Sequence, residues 1–425
     1  MLDIRLIRET PGEVKAELAK VGVEAAELDS VIECDARRRK LQHELDELRA
    51  RRTRESKELG KASQTERDQR RAGMRELGER ISAGEKQLAE LEQQCETLLL
   101  TLPNIPRPFV PLGASDADNR VVRTEGKPLE FTSFEPKPHW EVGEQLGIID
   151  FERGVKLAGT RFYFLVGAGA RLQRALINWM LDVKTAEQGY LEVWPPLMVN
   201  TPTVIGSAHL PKFADTMYRD AEDDFWFIPT AEVPLTNMFA REILDAQRLP
   251  IYLTAVTPCF RREKMSAGRD VRGIKRSHQF DKVEMVKVVH PDSSDAELDK
   301  MLGDACEIPR RLKIPHRVVQ MCTGDLGFAA AAKYDVEMWA PGCAEWLEVS
   351  SCSNCGDFQA RRAQIRFRKG TGGKPEFVHT LNGSGLALPR TVISILESYQ
   401  NEDGSVTVPE VLRPYMNGLE VIRRR

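Results

Sequence analysis

The residues best suited to chemistry lie between 259 and 285, in CFRREKMSAGRDVRGIKRSHQFDKVEM. Arg261, Arg262 and Glu263 follow an apolar strand start, a basic loop with glycines comes next, and Ser277-His278-Gln279-Phe280 leads into a second strand-like stretch. Arginines projecting from a rigid strand clamp phosphate through paired hydrogen bonds. Phe280 offers a flat apolar face to a base. Alternation along the strand puts Glu284 on the same side as Phe280 and Lys282. Two antiparallel strands with a phosphate-binding connection fit this pattern, and an exposed basic hairpin is the plainer alternative. No Ser-His-Asp arrangement is visible, so a covalent hydrolase has no support.

Other phosphate and metal signals fall short. No GxxxxGK[ST] occurs. GSGLAL at 383–388 lacks the third glycine of a dinucleotide fingerprint and stands at a strand-to-helix junction. Cys352 and Cys355 form CxxC with Cys343 nearby, but no fourth ligand is evident, so no structural zinc is expected. Asn382-Gly383-Ser384 matches a glycosylation sequon without meaning in a cytosolic chain. Lys264-Met265-Ser266 matches part of the KMSKS loop of class I synthetases, but its HIGH partner is missing. The seven histidines show no metal spacing, and only His278 sits in a telling context.

These residues need elements to hold them. At roughly 100–200 residues per domain, 425 residues predict two or three domains. With 41% hydrophobic and 29% charged residues the composition is that of a globular protein. The eight scattered cysteines point to a reducing cytosol rather than a disulfide framework. The N-terminus lacks an apolar signal core, and no 18-residue apolar run predicts a membrane span.

Charge is uneven: residues 37–75 hold fourteen Lys/Arg and seven Asp/Glu, a net of +7 in a chain of −3, leaving −10 elsewhere. A basic segment on an acidic body points to an anionic partner, nucleic acid first. Met74, Leu77, Ile81, Gly84, Leu88, Leu91, Cys95, Leu98 and Leu102 keep a 3-4 spacing, a coiled-coil seam broken only by Gly84. An earlier seam runs through Leu28, Val31, Leu41, Leu45 and Leu48, interrupted by Arg38. Gly60 and Ser63 mark the turn, and Ser63 with Glu66 forms a capping-box pattern. Two long antiparallel helices with a basic tip, its main apolar residue Leu59, are the expectation. Prolines 103, 106, 108 and 111 then end the helix and place the domain boundary. Beyond it, strands such as LTAVTPCF, KVEMVKVV, HRVVQ, YDVEMWA and EWLEVSSC lie among helices without regular βαβ alternation, which predicts an antiparallel α+β domain.

Six segments together resemble the seryl-tRNA synthetases, bacterial type, a branch of the class II aminoacyl-tRNA synthetases. FRRE…GRD.RG…RSHQFDKVEM is similar to motif 2, LNGSGLALPR (381–390) to motif 3, and GYLEVWPPLMVN (189–200) to motif 1 with Pro195 at its dimer-forming position. IPTAEVPLTN (228–237) resembles the TAE loop, WLEVSSCSNCGDFQARR (346–362) another family segment, and the opening MLDIRLIRETPGEVK with the basic hairpin fits as well.

The resemblance implies an α+β fold: an N-terminal antiparallel coiled-coil hairpin, then a class II catalytic domain built on an antiparallel sheet flanked by helices. It implies a tRNA-binding domain over 1–105 and a catalytic core over 106–425. Arg261 would hold the α-phosphate and the amino-acid carboxylate, with Arg262 beside it. Glu263 would read the adenine amino group, Phe280 would stack on the ring, and Ser277 would line the nucleotide. Arg390 would cover the other face of the base and reach the γ-phosphate. Glu348 and Ser351 would hold Mg²⁺, with Val349 and Ser350 beside them. Thr230, Ala231 and Glu232 would bind L-serine, while Glu284 and Ser384 face its side chain. Arg261, Arg390 and Glu348 are the catalytic set. The implied enzyme is a cytoplasmic homodimer with no membrane contact. It uses ATP and Mg²⁺ to charge serine tRNA, and the selenocysteine tRNA where one exists.

Lys264-Met265, Val271 and His209 depart from the family pattern, where a small residue or glycine, threonine and glutamine are usual. They bear on loop dynamics and fine contacts, not on the reaction. An amino acid ligase that loads a carrier protein is a rival, but such relatives lack the 27–102 hairpin. A catalytically silent RNA-binding paralogue would be expected to have lost Arg261, Glu348 or Arg390, all of which are present. A purely structural coiled coil explains nothing after residue 113.

Overall fold

A computed structural model describes every residue except 60–62, 129, 265–271, 371 and 425, and leaves aside the side chains of 59, 64, 65 and 67–69. Gly60, Met265, Ser266 and Val271, and the side chain of Leu59, therefore lie outside the described residues. The chain divides into two compact units, Leu2–Pro103 and Asn104–Arg425, the latter with Met1.

The first unit is a helical hairpin of α1 (Ala25–Leu59) and α2 (Gln64–Thr101). The 38 residues of α2 span about 57 Å. Ser63 and Glu66 close the expected capping box. Burial follows the seam: Leu28, Val31 and Leu45 on α1 are buried, as are Leu77, Ile81, Leu88 and Cys95 on α2 and Leu102 just past its end. Gly84 has a packing reason, because a Cβ there would stand 2.6 Å from Cδ2 of Leu45. Where the earlier seam lapses near Arg38, the structure buries Asp35 and rings it with Arg8 at 2.8 Å, Arg38 at 2.9 Å and Arg39 at 3.2 Å. The buried carboxylate is tolerated because it is paired. Cys34 and Cys95 also differ from the scattered thiols expected. Heptad phasing sets them across the seam with Cα atoms 5.7 Å apart, joined as a disulfide. Residues 49–58 are exposed apart from half-buried Glu55.

The second unit is built on eight strands: β1 (Arg120–Glu125), β2 (Leu191–Glu192), β3 (Ile251–Phe260), β4 (Gln279–Val289), β5 (His316–Gln320), β6 (Ala332–Ala340), β7 (Glu345–Asn354) and β8 (His379–Ala387). Their order across the sheet is β1-β5-β6-β7-β8-β4-β3-β2. All pairings are antiparallel except β2 with β3. Helices α3 (His139–Gln145), α4 (Ala168–Asp182), α5 (Ser294–Arg311) and α6 (Leu388–Ser398) flank it. Residues of α4, α5 and α6 share one core with those of β4, β6, β7 and β8.

Helix α4 runs into a π-turn, Val183–Glu187, which stops before Gly189 at φ +76°. That turn buries Lys184, whose Nζ donates to the Asp304 carbonyl at 2.7 Å. Its Cε would lie 2.8 Å from a Cβ on Gly385, and a Cβ on Gly383 would meet Cys352 Sγ at 2.9 Å. The glycines of GSGLAL therefore serve close packing of β8. In FYFLV (162–166), whose apolar and aromatic residues suit a strand, only Phe164–Leu165 pairs.

Candidate functional site

Strands β4, β6, β7 and β8 and the start of α6 line a cavity of about 380 Å³, with Arg261 entering from just past the end of β3. Its wall contains Thr230, Glu232, Glu284 and Ser384, then Arg261, Glu263, Ser277 and Phe280, then Glu348, Val349, Ser351 and Arg390. Three expected residues stand outside it. Ala231 is buried in a neighbouring core. Arg262 lies over the Tyr218 ring at 5.1 Å. Ser350 turns inward, its hydroxyl donating to the Ser384 carbonyl at 2.6 Å.

Arg261 follows the last residue of β3, and the end of that strand fixes it. Its N–H donates to the His278 carbonyl at 2.9 Å, and His278 Nδ1 lies 2.9 Å from the Arg261 carbonyl. Its Nε donates to the Pro229 carbonyl at 3.2 Å, leaving the guanidinium 5.3 Å over the Phe280 ring. His278 thus positions Arg261 from outside the cavity wall. Glu263 has φ +48° and stands 3.8 Å from Arg276. Pro389 at the start of α6 suits a first helical turn, and Arg390 projects from that turn. Its Nη1 donates to the Glu348 carbonyl at 2.6 Å and lies 3.4 Å from that carboxylate. Desolvation pushes the Glu348 carboxyl up, but Arg390, Lys333 and Arg261 outweigh it and hold it below its ordinary value.

A second cluster is small, polar and buried. The Thr230 hydroxyl donates to Glu284 at 2.9 Å, Lys282 donates to the Thr230 hydroxyl at 2.8 Å, and Lys282 pairs directly with Glu284. Glu232 Oε1 accepts from Gln359 at 2.7 Å and from Asn382 at 3.1 Å. Burial pushes both Glu232 and Glu284 upward, and Lys282 pulls both back. Glu284 on β4 faces Ser384 on β8 in the ladder register.

Sequence reasoning did not place Lys282, Lys333 and Asn382 in the site. Lys282 was within reach, since it alternates with Phe280 and Glu284, and Asn382 shares strand parity with Ser384. Lys333 left no local signal. His209, noted only as a departure, lines the cavity. Burial and then the charges of Arg261 and Lys282 lower its ring to about 4.

The cavity wall carries six cationic side chains against four carboxylates among the described residues. That excess suits a polyanion, and the Phe280 face suits a base. Glu348 and Ser351 offer hard oxygen donors. Asp335 pairs with Ser351 across the β6–β7 ladder, and its buried Oδ1 finds no hydrogen-bond partner among the described residues. This oxygen set fits a divalent cation of the magnesium type.

Residues 1–106 match the family model described as the seryl-tRNA synthetase N-terminal domain, and 213–399 match the tRNA synthetase class II core domain (G, H, P, S and T). The serine--tRNA ligase of Roseiflexus sp. is 59% identical over 100% of both chains. That of Thermomicrobium roseum is 58% identical over 100% of this chain and 95% of its own. Among solved structures, seryl-tRNA synthetase from Pyrococcus horikoshii complexed with ATP superposes with a TM-score of 0.94 at 40% identity, covering 100% of both chains. The cytoplasmic serine-tRNA ligase of Naegleria fowleri in complex with AMP gives 0.89 at 32% identity, covering 100% of this chain and 99% of that one. With both family models matched in order and such relatives aligned end to end, the chain belongs to the seryl-tRNA synthetases.

Proposed function

We propose that this chain attaches L-serine to its cognate tRNA through a seryl-adenylate made from serine and ATP. The observation that carries this reading is one cavity holding both a buried Thr230–Lys282–Glu284 cluster and the Arg261, Glu348 and Arg390 set. The first suits a small hydroxylated zwitterion, and the second suits a nucleoside triphosphate.

In the first step a serine carboxylate oxygen bonds to the α-phosphorus, and the bond to the departing pyrophosphate breaks. Both reactants are anions, so alignment and charge neutralisation dominate. Arg261 holds the carboxylate and the α-phosphate together. Phe280 stacks on the adenine and Glu263 accepts from its amino group. Ser277 lines the nucleotide, and Arg390 covers its other face and reaches the γ-phosphate. Glu348 and Ser351 would hold Mg²⁺, flanked by Val349 and Ser350; when bound it offsets phosphate charge. Glu232 receives the serine ammonium, Thr230 and Ala231 shape that end, and Glu284 with Ser384 takes the hydroxyl. Arg262 buttresses the end of β3. In the second step the tRNA 3′ hydroxyl takes the seryl group and AMP leaves. A site built around a hydroxyl rejects the analogue lacking one by about 10⁴–10⁵, because its buried polar groups go unpaired.

Residues 1–105 form the tRNA-binding domain and 106–425 the adenylating and transferring core. The exposed basic residues between 49 and 58 suit backbone phosphates of a protruding RNA arm. The same arm admits a selenocysteine tRNA as a serine acceptor. The enzyme works as a homodimer: Leu191, Trp194 and Met198 are 61%, 86% and 51% exposed beside the edge strand β2, an apolar strip that a second copy would cover. Trp194→Asp should shift the sedimentation coefficient from dimer to monomer. The cytoplasm supplies ATP and tRNA, and no helix among the described residues is long and apolar enough to cross a membrane.

Charging assays with labelled serine and purified tRNAs test the reading. Seryl ester on serine tRNA alone, or also on selenocysteine tRNA, supports it. Adenylate formation without any tRNA product would point to the carrier-protein ligase instead.

A further inference from the structure

Three groups outside the cavity wall remain unused: buried His139 and Glu397, and half-buried Cys343. Their donor atoms lie within 4.8 Å of one another, as in a metal site. The hydrogen bonds argue otherwise. The Ile274 main-chain N–H donates to His139 Nε2 at 3.1 Å, so the ring proton sits on Nδ1. Nδ1 donates to Glu397 Oε1 at 2.9 Å, and the His139 main-chain N–H donates to the same oxygen at 2.8 Å. Cys343 completes the set, its N–H donating to Oε2 at 3.0 Å and its thiol to Oε1 at 3.1 Å. A metal on Nδ1 would move the ring proton to Nε2, facing the Ile274 N–H donor to donor. The cluster is a satisfied hydrogen-bond relay.

We propose that Glu397 and His139 are positioning residues for the nucleotide, holding through Ile274 the segment that carries Lys275, Arg276 and Ser277. These three residues line the cavity directly after Ile274. Lys275 is tied to Glu345 at 2.7 Å, and the His278 carbonyl takes the Arg261 N–H at 2.9 Å. Glu397 lies on α6, the helix whose first turn carries Arg390. One helix therefore sets two walls of the site, Arg390 directly and the 275–277 segment through the relay. Gly273 has no alternative: its φ is +77°, and a Cβ there would stand 2.0 Å from His139 Nε2. The inference rests on the reading of this cavity as the ATP site.

The test is steady-state ATP–pyrophosphate exchange, with KM for ATP and for serine measured separately in wild type, His139→Asn and His139→Gln. Asparagine keeps a donor for Glu397 but loses the acceptor for Ile274, while glutamine places an acceptor near the Nε2 position. His139→Asn should raise KM for ATP about tenfold, the cost of one unpaired buried donor, with KM for serine within about twofold. His139→Gln should recover most of that loss. Equal damage in both variants, no change in His139→Asn, or KM values for ATP and serine rising together would overturn the relay. Gly273→Ala, outside the hydrophobic core, keeps the test open if His139→Asn does not fold. It should show the same ATP-selective defect, and an ordinary KM for ATP there would also overturn the proposal. A wild-type enzyme without serine-dependent exchange would overturn the ATP-site reading, and the relay with it.

Discussion

The sheet and the hairpin use charge in opposite ways. Around the cavity, Lys282, Glu284 and Glu232 are held away from bulk water, and each has partners at hydrogen-bond distance. Removing one partner there strands the other, at a cost of several kcal/mol. On the hairpin, Arg51 and Arg49 pair with Glu55 and Glu85 in water. Such exposed pairs contribute little individually. In the proposed function their effect is a summed field on an RNA backbone. The core should therefore fail at single residues, and the hairpin should weaken gradually.

The largest break is expected from Arg261→Ala, about 10²–10³ lower in exchange rate, as for other preorganised electrostatic donors, with tRNA affinity by filter binding unchanged. Glu284→Gln should raise KM for serine about a hundredfold, a loss of about 2–3 kcal/mol from a buried charged pair, and leave KM for ATP alone. Exchange kinetics read both constants. Leu45→Ala empties a seam position that Gly84 cannot fill, and should cost the hairpin about 2 kcal/mol in a denaturant melt while exchange is unaffected. Neutralising Arg51, Arg52, Arg54 and Lys57 together should weaken tRNA binding about tenfold at moderate salt, and flatten the slope of log K against log salt by about 0.9 per lost duplex phosphate contact. Exchange should again be untouched.

The smallest effect concerns His209. Its folded value near 4 lies below the ordinary 6.5, so the unfolded chain binds the proton more readily. The stability this contributes is present above pH 6.5 and is lost as pH falls toward 4. By about pH 5.7 the loss should reach about 1 kcal/mol, and His209→Gln should remove that part of the acid sensitivity in a pH series of melts.

How legible each region was follows from the same physics. The hairpin announced itself through the heptads at Met74–Leu102, because a repeating period survives in a linear string. What escaped were contacts between its helices: Asp35 with Arg8, and Cys34 with Cys95, sixty-one residues apart. In the core, Arg261, Glu263 and Phe280 were legible from charge and alternation, whereas Thr230, Glu348 and Arg390 entered through motifs. Lys282 needed the depth of its strand, since an alternating lysine looks solvated until the sheet covers it. His139 and Glu397 are 258 residues apart and carry no spacing signal at all. The π-turn at Val183–Glu187 carries no local signal, because ARLQRALINWMLDVKTAEQGY (170–190) has no breaker before Gly189.

The most direct test is amino-acid-dependent ATP–pyrophosphate exchange across all twenty amino acids, without tRNA. The account predicts exchange with serine alone, lowered about 10²–10³ by Arg261→Ala and unaffected by neutralising the hairpin tip. Exchange with another amino acid would contradict the assignment of Thr230, Lys282 and Glu284. No exchange from a folded enzyme supplied with ATP and Mg²⁺ would contradict the account as a whole.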